Sequence, residues 1–160
     1  MRRSVPVLAC ILLLVGPAIL PALSRADLDR VIDFSVTLKS LATAADSGAP
    51  IPAGKTVLLS GTVSDVNIIN KDQAAFKVRI EMITGEWIGL DDVKSYSCYV
   101  EFTGADYFKL FPARPPRTAS RDLVSLNSRV IVLGRVVDVA TTPLGAKRVL
   151  VDGAYIRSIE

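Results

Sequence analysis

The chain has 160 residues, with 19 Lys and Arg, 16 Asp and Glu, two Cys and no His, and half of it is apolar, enough for one domain with a buried core. The lack of histidine excludes imidazole proton transfer, the Ser-His-Asp triad and His-containing zinc or haem sites. Two cysteines are too few for a four-thiolate centre, and no motif asks for a cofactor, so neither metal ligands nor a catalytic set is expected.

In chain order, Met1-Arg2-Arg3-Ser4 is a short basic head, Val5 to Leu20 is an apolar run, and Pro21-Ala22-Leu23-Ser24-Arg25-Ala26 ends in small residues two apart. This is the order of a secretory signal peptide over residues 1–26, with cleavage after Ala26 and a periplasmic or secreted product. Val5 to Leu23 is long enough for a retained anchor, but Pro6, Pro17 and Pro21 argue against it. Val7-Leu8-Ala9-Cys10 resembles a lipoprotein cleavage box, yet the apolar run continues past the cysteine instead of ending there. Losing Arg2, Arg3 and Arg25 takes the formal net charge of +3 to zero, so the mature domain carries no nucleic-acid footprint in its overall charge. Cys98 is then alone and alternates with Tyr96, Val100 and Phe102, the pattern of an inward-facing thiol.

Residues 27–54 read as an amphipathic helix and a linker. The helix runs from Asp27 to about Ala45, with Leu28, Val31, Ile32, Ser35, Leu38 and Ala42 on one face. The linker Asp46 to Gly54 carries two glycines and two prolines. Residues 55–160 change to strand periodicity, with expected strands at Thr56 to Val66, Ala75 to Ile83, Ser95 to Phe102, Arg129 to Val139 and Lys147 to Ile156. Between the third and fourth, Asp106 to Phe111 suits one or two helical turns before Pro112. The first and fourth strands share the pattern V-x-x-x-G-x-V-x-D-V, in Val57 to Val66 and Val130 to Val139. A glycine inside a long strand marks a bend or bulge, which closing a small barrel demands.

The leader, the short helix, the L-L-S-G-T-V-S-D-V strand, and S-R-V-I-V-L-G-R-V-V-D-V followed by V-L-V-D-G-A-Y-I together resemble exported bacterial OB-fold proteins of the tRNA-anticodon-binding-like type. The resemblance spans roughly Lys55 to Ile159. It implies a mainly β chain: a five-stranded antiparallel OB-fold Greek-key barrel with an N-terminal amphipathic helix. Such families often place a cysteine after the acidic position of the last strand; Gly153-Ala154 stands there here, so no disulfide carries over.

An OB barrel offers its second and third strands as the binding face. In the second, Lys77, Arg79 and Glu81 alternate with Phe76, Val78, Ile80 and Met82 and should point outward; in the third the outward set is Ser97, Tyr99 and Glu101. Lys77, Arg79 and Tyr99 are therefore candidate ligand contacts, though the cations also suit cross-strand pairing with Glu81 and Glu101. Thr84 to Asp92 reads as a turn between glycines, with Trp87 either a binding anchor or, preferred, a lid on the barrel end. Asp91-Asp92 lacks the alternating spacing of a calcium loop. Lys109, Arg114, Arg117 and Arg121 fall among prolines without an intervening acid, and the three arginines complete the candidate ligand-binding set.

These features predict a non-catalytic binding module for a small molecule, glycan, peptide or envelope protein. The alternative is a single-stranded nucleic-acid-binding OB-fold, which the neutral mature charge and few aromatics count against. A carboxylate-pair hydrolase is the second alternative, and the scattered acids offer no acid and nucleophile for it.

Overall fold

The structure is a computed structural model that describes residues 24–112 and 123–159. Its elements are α1 (Arg25–Val31), β1 (Ile32–Asp33), α2 (Leu38–Ser47), β2 (Thr56–Asn70), β3 (Lys77–Ile88), β4 (Asp92–Thr103), a 3₁₀ turn (Ala105–Tyr107), β5 (Arg129–Thr141) and β6 (Lys147–Ser158).

The expected single helix is two. Asp33 Oδ1 accepts from the Ser35 backbone N–H and hydroxyl, an Asx turn that stops the first helix. Thr37 and Ser40 then form a capping box that starts the second. Between them Ile32 and Asp33 pair in parallel with Thr56 and Val57, so β-branched Ile32 serves a strand. The α1 helix is capped by Ser24 and buries none of its residues, so the barrel does not depend on it. The α2 helix buries Leu38, Leu41, Ala42 and Ala45 and ends on Gly48, at φ 70°.

The sheet order is β1-β2-β3-β4-β6-β5, and β2 also pairs with β5, which closes the barrel. In barrel terms the strands follow one another as first, second, third, fifth, fourth and back to first, the order of an OB-fold. The expectation of five antiparallel strands is corrected on two points. Two-residue β1 adds a sixth strand, and β1–β2 and β4–β6 are parallel. The second follows from the Greek key, since the crossover after β4 brings in the β5–β6 hairpin with its second strand alongside β4.

The shared sequence pattern of β2 and β5 marks true neighbours. Val57 faces Gly134, and Gly61 faces Val130. A Cβ on Gly134 would lie 2.6 Å from Val151 Cγ1 and 2.7 Å from the Asp152 carbonyl oxygen, at a register shift between β5 and β6. One on Gly61 would lie 2.8 Å from the Ile83 carbonyl oxygen. Each glycine therefore lets two backbones approach where the wall turns.

Inside, Val57, Leu59, Val63, Phe76, Val78, Ile80, Met82, Cys98, Val100, Phe102, Val130, Val132, Val149 and Val151 are shielded from water. Each such side chain contributes ~1.5–3 kcal/mol of burial relative to exposure. One barrel end is covered by α2. At the other, Tyr107 and Phe111 stand over Phe102 with ring centroids 5.0 and 5.8 Å away, and the Tyr107 hydroxyl donates to the Ala154 carbonyl at 2.8 Å.

Candidate functional site: the β3–β4 face and its ribbon

Strict alternation along β3 and the residue before it buries Phe76, Val78, Ile80 and Met82 and turns Lys77, Arg79 and Glu81 outward, as the sequence predicts. Glu101 on β4 stands opposite Arg79 and gathers both neighbouring cations. Lys77 Nζ lies 2.8 Å from Glu101 Oε2, and Arg79 donates through Nε and Nη2 to Oε1 at 2.9 and 2.5 Å. Burial alone would raise the Glu101 pKa, but its bonds from Lys77 and Arg79 outweigh that and hold the carboxyl below its ordinary range. The Arg79 guanidinium also lies over the Tyr99 ring, 5.4 Å from its centroid. Lys77, Arg79 and Tyr99 thus come together on one face, but both cations are occupied.

Ser97 departs from its expected outward exposure and is buried. Arg148 on β6 stands two residues before Leu150, which pairs with Tyr99, and so comes level with Ser97 on the neighbouring strand. Arg148 Nε lies 3.6 Å from Glu81 Oε1 on β3, so its side chain crosses β4, which separates those strands, near the position of Ser97. The guanidinium also reaches Asp46 at the end of α2, at 4.0 Å. Nothing on β4 signals this contact. The available clue is the outward set Arg148, Leu150, Asp152 on the last strand. Lys77, Arg79 and Arg148 are matched by Glu101, Glu81 and Asp46, so the face neutralises itself.

Beyond the barrel the same two strands continue alone. The last β2–β3 pair is Thr62 with Ile83, whereas β3 and β4 stay paired out to Ile88 and Asp92. Thr84 to Asp92 is therefore largely strand: Gly85 sits inside β3, and only Gly89, Leu90 and Asp91 make the turn. Trp87 pairs with Val93 across the ribbon and remains 72% exposed, which corrects the expectation of a lid. Leu90 at the tip is 93% exposed, and Ile88 and Val93 are exposed beside it. By strand alternation Trp87 projects on the same side as Tyr99.

The ribbon's root is tied down on its inner side. Lys39 of α2 reaches Glu86 Oε2 at 2.6 Å, and the Tyr96 hydroxyl donates to the same oxygen at 3.1 Å. The bond from Lys39 is the main reason that Glu86 titrates below its ordinary range, and Lys39 is correspondingly raised. Lys39 and Lys94 also lie 5.6 and 5.4 Å from the centre of the Tyr96 ring.

Of the basic segment, Lys109 is described and exposed, while Arg114, Arg117 and Arg121 lie outside the described residues. Cys98 is fully buried as expected. Burial, with a smaller push from Glu81, raises its thiol to about 12, so it carries no thiolate at neutral pH.

No protein-family model matches the chain. No curated protein matches it either. Among solved structures it is similar to the aspartyl tRNA synthetase from Entamoeba histolytica, at 17% identity and a TM-score of 0.46, over 80% of this chain and 21% of that one. The chain thus spans about a fifth of that synthetase's length. It is also similar to the small single-stranded DNA-binding protein from Streptomyces coelicolor, at 11% identity and a TM-score of 0.41, over 66% of this chain and 92% of that one. A small single-stranded DNA-binding protein from Mycoplasma pneumoniae aligns at 8% identity and a TM-score of 0.42, over 66% and 93% of the two chains.

Proposed function

We propose that this chain is an exported, non-catalytic OB-fold module that binds a partner protein through the β3–β4 ribbon. The observation that carries the reading is the ribbon tip, which holds Trp87, Ile88, Leu90 and Val93 in solvent on a root anchored by Glu86. A cluster of large apolar side chains led by tryptophan is the composition of an interface hot spot. Asp91 and Asp92 are exposed in the same tip, so the complementary surface is an apolar pocket with a basic rim. Export is inferred from the order of segments in Met1 to Ala26. The absence of catalysis is inferred from the charged face, where Glu101, clasped by two cations, is neither a proton donor nor a free nucleophile.

A second reading, single-stranded nucleic-acid binding, draws on one feature: Trp87 on the ribbon and Tyr99 on the barrel wall share the outward side of the β3–β4 pair, roughly 20 Å apart along the strand. Against it stand the paired cations and the two aspartates at the tip.

The two readings separate on site-specific photocrosslinking in the envelope fraction of the producing cells. Benzophenone side chains replace Trp87 in one variant and Tyr155 in another, the latter exposed on β6. The proposal expects one protein adduct from position 87 and none from position 155. Nucleic-acid adducts at 87, or the same adducts from both positions, overturn it.

A further inference from the structure

A concavity lies at the barrel end capped by the 3₁₀ turn, on the far side of the domain from α2. It is a trough of about 520 Å³, within the range of small-molecule sites. Its floor and walls are Ile68, Phe76, Phe108, Phe111 and Pro112, and among the described residues Lys71 and Lys109 are the polar side chains that line it.

Both walls are held by the fold. On one side the Asp72 N–H donates to Asn70 Oδ1 and the Ala74 N–H to Asp72 Oδ1, which fixes the turn carrying Lys71 and occupies the neighbouring carboxylate. On the other, the Gly104 N–H donates to the Phe76 carbonyl at 2.9 Å, and Phe108 meets Phe76 edge-on with ring centroids 5.5 Å apart. Phe108 is still 38% exposed, so it presents part of its ring to the trough. Among the described residues neither lysine has an acidic partner within ion-pair distance, unlike Lys39, Lys55 and Lys77.

We infer that this trough binds a small amphipathic carboxylate, its apolar body lying on Phe76, Phe108 and Ile68 and its charged head held between Lys71 and Lys109. Two ammonium point charges suit one compact anion. Between the two lysines the described lining is ring and alkyl carbon from Ile68, Phe76, Phe108, Phe111 and Pro112, which suits an alkyl or aryl body better than the hydrogen-bonding edges of a nucleobase or the hydroxyls of a sugar. The site shares no residue with the ribbon, so it stands or falls separately from the partner-protein reading.

The test uses the mature protein with 8-anilinonaphthalene-1-sulfonate as the reporting probe and decanoate, decanol and a short oligothymidine as competitors. Saturable probe fluorescence is expected, with displacement by decanoate at concentrations about tenfold below those of decanol, the margin one charge-assisted contact supplies. The double variant Lys71→Gln/Lys109→Gln, both sites being exposed and without an ion-pair partner among the described residues, should keep the wild-type melting temperature and bind decanoate about tenfold more weakly. Trp87→Ala should leave probe binding unchanged, which separates the trough from the ribbon tip. Equal displacement by decanol, unaltered affinity in the double variant, loss of the probe with Trp87→Ala, or displacement by oligothymidine ahead of decanoate would each overturn the inference.

Discussion

Replacing Gly134 with alanine adds a single methyl group, and the sign of its effect tests why the barrel closes. At an unconstrained site the change would stabilise by about 0.4–1 kcal/mol, because alanine restricts the unfolded chain. Here the new carbon would sit 2.6 Å from Val151 Cγ1 and 2.7 Å from the Asp152 carbonyl oxygen. The valine methyl has rotamers to try, but it belongs to a fully buried side chain in a filled core, and the carbonyl is fixed in β6. Overpacking at such sites costs about 1–3 kcal/mol, which exceeds the entropic gain. The expected net loss is about 1.3 kcal/mol, equivalent to a melting temperature lower by roughly 4–6 °C for a domain of this size. Thermal unfolding followed by circular dichroism, with urea titration to check that the slope is unchanged, measures it. Gly61→Ala should move the same way, through the Ile83 carbonyl 2.8 Å from the added carbon. A Gly134→Ala protein that melts at or above the parent temperature would refute the close-approach argument.

Asp33 accepts from Lys55 and Ser35, and the Lys55 contact is the chief cause of a carboxyl pKa of about 2. Because the folded value lies below the unfolded one of about 3.9, its stabilising effect is complete above that value and fades as pH falls toward 2. Carbon-detected NMR titration should place the Asp33 midpoint near 2, and Lys55→Met should raise it; an ordinary midpoint in the parent would contradict the β1 anchor. Cys98, with its pKa pushed to about 12 by burial, should resist iodoacetamide at pH 8 in the folded protein and react fully in guanidinium. Rapid native labelling would place it elsewhere. Trp87 is the sole tryptophan and 72% exposed, so fluorescence should be red-shifted and readily quenched by acrylamide, whereas a blue-shifted, protected emission would mean the ribbon folds back on the barrel.

The wall of the barrel was legible because period-2 alternation is a local signal: Phe76, Val78, Ile80 and Met82 announce their side of β3 without reference to anything distant. The repeated V-x-x-x-G-x-V-x-D-V was legible for a related reason, since β2 and β5 meet the same closing bend from opposite sides. Three features escaped. The apolar spacing of Leu28, Val31, Ile32 and Leu38 mimics one helix, and the break is written instead in Asp33-Phe34-Ser35 and in the Thr37, Ser40 cap. Gly85 looks like a turn residue, but it lies within a strand that outruns the barrel, and how far β2 accompanies β3 is not a local property. The neutralisation of Glu81 depends on Arg148, more than forty residues later, reaching across the strand that carries the buried Ser97. Paired Lys77 and Arg79 were foreseeable from the balance of charges, but the convergence of both on Glu101 is set by the β3–β4 register.

On the barrel part of the β3–β4 face, Lys77, Arg79 and Arg148 are already spent on carboxylates of the same domain. The most direct test of that neutralisation is the affinity of a fluorescein-labelled oligothymidine at low salt for the parent and for Glu101→Gln, which releases Lys77 and Arg79 without removing a cation. The parent should show no saturable binding, and the variant should gain weak binding that disappears as salt is raised. Tight, salt-dependent binding by the parent, unchanged in the variant, would contradict the account and establish the face as a nucleic-acid platform.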